Sequence, residues 1–121
     1  MNDKVEVPPA GGQFVYDAVC VRVVDGDTIK VDWDLGAGVW LRNETLRLYG
    51  IDAPELRGQE RPKGQEARKW LADLIEGKPI TIRTLKDKKG KYGRYLATVW
   101  FGDHNVNQRM IQLGLASETV W

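Results

Sequence analysis

The sequence predicts a mainly β domain with helices, an α+β fold built as one five-stranded barrel with a helix between its third and fourth strands. Three observations carry this expectation. Five short β-type runs are separated by turn residues, residues 64–76 carry apolar side chains at helical spacing, and 121 residues suffice for about one domain. Hydrophobic residues make up 42% and charged residues 29%, with 13 Gly and 5 Pro, a globular balance rich in turns that excludes fibrous and wholly disordered chains.

Residues 1–13, with Pro8-Pro9 and Gly11-Gly12, have no periodicity and read as a flexible arm, which leaves 14–121 as the single domain. No internal repeat is visible. Val19, Val21 and Val23 alternate with Cys20 and Arg22 up to Asp25-Gly26, and Thr28-Ile29-Lys30-Val31 resumes the β pattern, so Asp-Gly with its tolerance of positive φ predicts a hairpin. Gly36-Ala37-Gly38 supplies a second turn, and Thr45 to Tyr49 forms a third strand ending near Gly50. Ala67, Trp70, Leu71, Leu74 and Ile75 then fall on one helical face between Gly64 and Glu76, with Gly77 and Pro79 as the stop. Ile80-Thr81-Ile82-Arg83 and Leu96 to Phe101 are the fourth and fifth strands, on either side of a charged Lys86-to-Arg94 segment. Val106, Met110, Ile111 and Leu113 suggest a short second helix near the C-terminus, capped by Asn105 and closed by Gly114. Five short strands with a helix between the third and fourth match the OB barrel.

Several classes of site are excluded by counting. The single Cys20 rules out an internal disulfide or a multi-thiolate zinc site, and the single His104 rules out two-histidine metal motifs. Cys20, amid valines, reads as a small buried thiol, and His104 as a turn residue. No apolar run reaches the roughly 18 residues of a membrane span, and the start of the chain has no signal-peptide core, so a soluble protein, secreted or cytoplasmic, is expected.

Eighteen basic and 17 acidic residues leave a net charge of +1, which does not advertise a nucleic-acid binder. The charge is nevertheless segregated. Residues 1–34 hold three basic and seven acidic side chains, net −4; residues 57–69 are net +3 and residues 86–94 net +4. Ordinary solvated loops account for such a pattern, and so does a carboxylate cluster for a cation flanked by basic arms for phosphate.

Three segments carry the chemistry of the second reading: Asp25-Gly26-Asp27-Thr28, then Arg47 through Asp52-Ala53-Pro54-Glu55, then Lys91-Tyr92-Gly93-Arg94. Each alone is an unremarkable polar turn. Their order and spacing, together with Gly114-Leu115-Ala116, resemble the staphylococcal nuclease family over about Tyr16 to Ala116. The resemblance implies an OB barrel and a calcium-dependent phosphodiesterase acting on DNA or RNA as a monomer, leaving 5′-hydroxyl and 3′-phosphate ends. It makes Asp27 and Asp52 the carboxylates that bind Ca²⁺ and gives Ala53 a backbone-carbonyl ligand. Glu55 becomes the base that activates water, Arg47 and Arg94 the phosphate-binding arginines, and Lys91 and Tyr92 substrate contacts.

Those residue types suit that chemistry. Ca²⁺ takes six to eight oxygen ligands, so two carboxylates, a carbonyl and waters make a plausible shell without His or Cys. Guanidinium donates two parallel bonds to phosphate oxygens, which a lysine does not. The sequence departs from the family pattern in three places. Val120, followed by Trp121, stands where a nucleotide-packing Tyr is expected, the chain stops five residues after Ala116, and the Arg57-to-Lys63 loop differs. Two other functions stay open at this point: a non-catalytic OB domain that binds nucleic acid through stacking aromatics such as Tyr92, and a protein-interaction OB module.

Overall fold

The computed structural model describes residues 14–89 and 94–119. The expected arm at 1–13, the substrate contacts Lys91 and Tyr92, and the pair Val120 and Trp121 lie outside the described residues. In chain order the elements are β1 (Val15–Asp25), β2 (Thr28–Gly36), β3 (Val39–Leu48), β4 (Ile51–Asp52), α1 (Arg61–Ile75), β5 (Pro79–Lys89), β6 (Tyr95–Phe101), β7 (His104–Asn105), α2 (Val106–Gln112) and β8 (Ser117–Glu118). A 3₁₀ turn at Gly58–Glu60 leads into α1.

The large sheet runs β3-β2-β1-β5-β6-β7, and a further pairing of β3 with β6 closes it on itself. Neighbours are antiparallel except at the closure, where Leu46, Arg47 and Leu48 pair in parallel with Tyr95, Leu96 and Ala97. The result is the expected barrel of five strands, β1, β2, β3, β5 and β6, closed where the end of β3 meets the start of β6. Beside it β4 and β8 form a separate two-stranded ladder, Ile51 against Glu118 and Asp52 against Ser117.

The barrel is filled by Ile29, Val31, Trp33, Leu46, Leu48, Ile82 and Val99, and Ala67, Leu71 and Ile75 of α1 with Val106 and Met110 of α2 join the same core. Trp33 packs edge-on between Tyr16 and Tyr95, at ring separations of 5.2 and 4.9 Å. Three of the four helical ends follow their sequence signals, while α1 starts at Arg61, three residues before the expected Gly64. Pro62 sits in the first turn of α1, Gly77 takes φ of 79° just beyond its end, Asn105 accepts a hydrogen bond from the Gln108 N–H at 3.1 Å, and Gly114 takes φ of 73° after α2. Among the described residues no helix is long and apolar enough to cross a membrane.

Three local expectations are corrected. In β1 the inward residues are Ala18, Cys20 and Val23, while Val21 is 40% exposed, because a bulge between Cys20 and Arg22 shifts the alternation by one residue. At the first hairpin Gly26 has no positive φ; its lack of a side chain serves close approach instead, since a Cβ there would stand 2.7 Å from that of Ala53 and 2.9 Å from that of Ala67. His104 lies in β7 opposite Phe101, just past the Gly102-Asp103 turn, with Nδ1 3.2 Å from the Arg109 guanidinium.

Cys20 is fully buried, as expected of a structural thiol. Burial pushes it up to about 12; a hydrogen bond from the Arg22 backbone opposes this shift and the Glu76 carboxylate adds to it. Glu76 itself accepts the Val23 N–H at 2.8 Å, beyond Val19, where the pairing of β1 with β5 ends.

Candidate functional site

The site forms where the β1–β2 turn, the end of β3 and the loop after β4 meet. Its centre is Arg47, whose side chain is 9% exposed and whose guanidinium points between two carboxylates. One terminal nitrogen lies 3.3 Å from Asp27 Oδ2, and the other donates to Asp52 Oδ1 at 3.2 Å. The first nitrogen also donates to the carbonyls of Leu48, at 3.2 Å, and Ile51, at 2.9 Å. Those bonds close the chain over the Tyr49-Gly50 turn, where Gly50 takes φ of 80°. The same fork that reaches both carboxylates thus shapes the segment that carries one of them.

Asp27 is buried, and every oxygen has a defined role. Its carbonyl accepts the Leu48 N–H at 2.8 Å, Oδ1 accepts the Thr28 hydroxyl at 3.1 Å, and Oδ2 accepts the Ala53 N–H at 2.9 Å. The Asp27 N–H donates in turn to Asp25 Oδ1 at 3.1 Å, an Asx-type turn that orients the residue. Burial raises the Asp27 carboxyl above its ordinary value and the nearby Asp25 adds to this, while the Ala53 N–H and the Arg47 charge pull the other way. Asp52, by contrast, has a side chain 65% exposed.

Glu55 is exposed and lies three residues beyond Asp52. Its N–H donates to Glu60 Oε1 at 3.0 Å, so the turn before α1 holds its main chain. A second support comes from Gly64 on α1, where a Cβ would collide with the Glu55 carbonyl oxygen and stand 2.9 Å from that of Pro54. Helix and loop are in main-chain contact there, which no other residue type allows without movement. Together, Asp52 through Glu55, Gln59, Glu60 and Lys63, and residues 114–117 line a cleft of about 550 Å³.

Arg94 is half-buried immediately ahead of β6, two residues before Leu96, the partner of Arg47 in the parallel register. The fold therefore joins Arg47, Asp27, Asp52 and Ala53 by direct contacts, sets Glu55 on the adjoining loop, and puts Arg94 just ahead of the neighbouring strand β6. Asn107 was not singled out in the sequence, yet it ties α2 to this region. Its side chain accepts the Val99 N–H at 3.0 Å and donates to the carbonyls of Tyr49, at 2.9 Å, and Ala97, at 3.1 Å. Glu60 and Gly64 were missed as well. Only Gly64 left a trace, since a glycine inside a helix costs about 1 kcal/mol relative to alanine and so hints at close approach.

Whether the expected cation suits these residues turns on donor chemistry. Asp27, Asp52 and the main chain at Ala53 offer oxygen only, as a hard divalent cation requires. No three His, Cys, Asp or Glu side chains cluster as a metal site among the described residues, so a two-carboxylate set would need carbonyl, water or substrate oxygens to complete it. Arg47 stands between the two carboxylates as their present counter-charge.

Residues 45–121 match the family model described as "Staphylococcal nuclease homologue". The chain is 34% identical over 99 residues to the thermonuclease of Staphylococcus hyicus, covering 79% of this chain and 55% of that protein. It is 35% identical over 98 residues to the thermonuclease of Staphylococcus intermedius, covering 78% and 55%. An uncharacterized endonuclease of Escherichia coli O157:H7 is 39% identical over 101 residues, covering 79% and 56%. The chain spans about half the length of these relatives.

Proposed function

The chain belongs to the staphylococcal nuclease homologue family, and from that premise we propose that it is a calcium-dependent phosphodiesterase hydrolysing DNA or RNA to 3′-phosphate and 5′-hydroxyl ends. The observation that carries this reading is the buried guanidinium of Arg47 held between Asp27 and Asp52 beside the Glu55 loop. A buried arginine with two carboxylates and a nearby exposed glutamate suits phosphoryl transfer, in which positioning and electrostatic stabilisation do most of the work.

Arg47 and Arg94 bind the reacting phosphate and offset the charge that develops on its oxygens. Asp27, Asp52 and the Ala53 carbonyl would hold Ca²⁺, which when bound polarises a phosphoryl oxygen and orients the attacking and leaving groups. Glu55 accepts a proton from a water placed in line with the departing 5′-oxygen, and its exposure leaves room for that water. Glu60 and Gly64 keep the Glu55 backbone at a fixed offset from α1. Lys91 and Tyr92 are assigned to substrate contact on the resemblance alone.

The test is incubation with single-stranded DNA in Ca²⁺ or in a chelator, with Glu55→Gln as the control. Cleavage that needs Ca²⁺ and falls at least about 100-fold in the variant supports the reading. Salt-sensitive binding without cleavage selects a non-catalytic nucleic-acid-binding domain instead.

A further inference from the structure

We propose that the cleft beside Glu55 seats the nucleoside that keeps the phosphate after cleavage, an inference that rests on the nuclease reading above. The cleft, at about 550 Å³, falls within the range of about 300–1,000 Å³ typical of small-ligand sites. Asp52 and Glu55 form one wall, whereas Arg47 and Arg94 do not line it. A phosphate resting on the arginines therefore has this cleft as its neighbour on the Glu55 side. In-line displacement puts the leaving 5′-oxygen on the side of phosphorus away from the attacking water. The group beside the base is accordingly the nucleoside whose 3′-oxygen stays bonded to phosphorus.

The lining suits such a guest. Pro54, Leu115 and Ala116 offer apolar surface to a sugar or base face, and Gln59 brings both a donor and an acceptor for base edges. Lys63 supplies a cation for the next phosphate along the strand. It belongs to the basic 57–69 stretch, a charge excess that the catalytic constellation leaves without a role. Glu60 also lines the cleft, and its Oε1 is engaged by the Glu55 N–H.

The experiment compares the unaltered chain with Gln59→Ala, Lys63→Ala and the double variant on two substrates. One is a single-stranded trinucleotide; the other is thymidine 5′-(4-nitrophenyl phosphate), in which a nitrophenyl group replaces the preceding nucleoside. Both side chains are exposed, so melting midpoints should not move. In the double variant kcat/KM for the trinucleotide should fall about tenfold, mainly through KM, corresponding to about 1.4 kcal/mol of lost contact. The small diester should stay within twofold. An unchanged trinucleotide, or equal losses on both substrates, overturns the cleft assignment while cleavage by the unaltered chain keeps the nuclease reading standing. No cleavage of either substrate by the unaltered chain overturns both.

Discussion

Arg47 shows how much one side chain can be asked to do. Its guanidinium meets two carboxylates and two carbonyls at once, a pattern that needs a planar, forked donor set. Arg47→Lys keeps the charge and loses the fork, so kcat/KM should drop by about 10³-fold with Ca²⁺ saturating, at the low end for an arginine at a phosphoryl transition state. Near-full cleavage by the variant would remove Arg47 from the catalytic set. Arg47 was singled out in the sequence through the family resemblance; its bonds to Leu48 and Ile51 were not legible there, because a backbone carbonyl leaves no mark in sequence. Cys20 makes a separate prediction. Its folded-state value of about 12 lies above its ordinary 9.0, so stability from the neutral thiol is complete below pH 9 and is lost as pH climbs toward 12. The unfolding free energy of the wild type should therefore fall relative to Cys20→Ala above pH 9, by up to about 1.4 kcal/mol per pH unit. A constant difference between the two in denaturant titrations from pH 7 to 11 would refute it.

Helix α1 and the loop before it act as a unit because two glycines let neighbouring segments approach closely. Gly26 brings the Asp27 turn against Ala53 and Ala67, and Gly64 brings α1 against Pro54 and Glu55. Alanine at 64 would improve helix propensity by about 1 kcal/mol and force the Glu55 peptide outward. Since a displacement near 1 Å can cost about 10² in rate, Gly64→Ala should cut kcat by about that factor while KM changes little. Steady-state kinetics on single-stranded DNA decides it, and an unaltered kcat would show that the loop follows the helix without loss. The helices were readable from period and caps, Gly77, Asn105 and Gly114 standing where three of the ends fall, while α1 begins at Arg61 rather than Gly64. The short ladder of β4 with β8 was not, because two residues on each strand give no period to detect and their pairing spans 65 residues or more.

Across the whole molecule, barrel closure is what brings the Arg94 segment to the site. Pairing β3 with β6 brings Arg47 alongside Leu96 and hence near Arg94, although the two arginines are far apart in the chain. If Asp27 and Asp52 hold Ca²⁺ with nucleotide present, the folded state gains about 2.7 kcal/mol at a free concentration 100 times Kd. Calorimetry with millimolar Ca²⁺ and a nucleoside 3′,5′-bisphosphate should then show a higher melting temperature, lost in Asp52→Asn; an unmoved melt would tell against an intact cation site. The sequence by itself determined the five barrel strands, the two helices and the barrel class, and it nominated the acid-arginine set, because hydrophobic period, turn chemistry and motif spacing are written locally along the chain. Only the tertiary structure decided which face of β1 is inward after its bulge, that Gly26 and Gly64 serve contact, that Glu60 and Asn107 hold the site's backbone, and that a cleft opens beside Glu55. Each of these depends on distances between segments remote in sequence, which packing sets and no local pattern encodes.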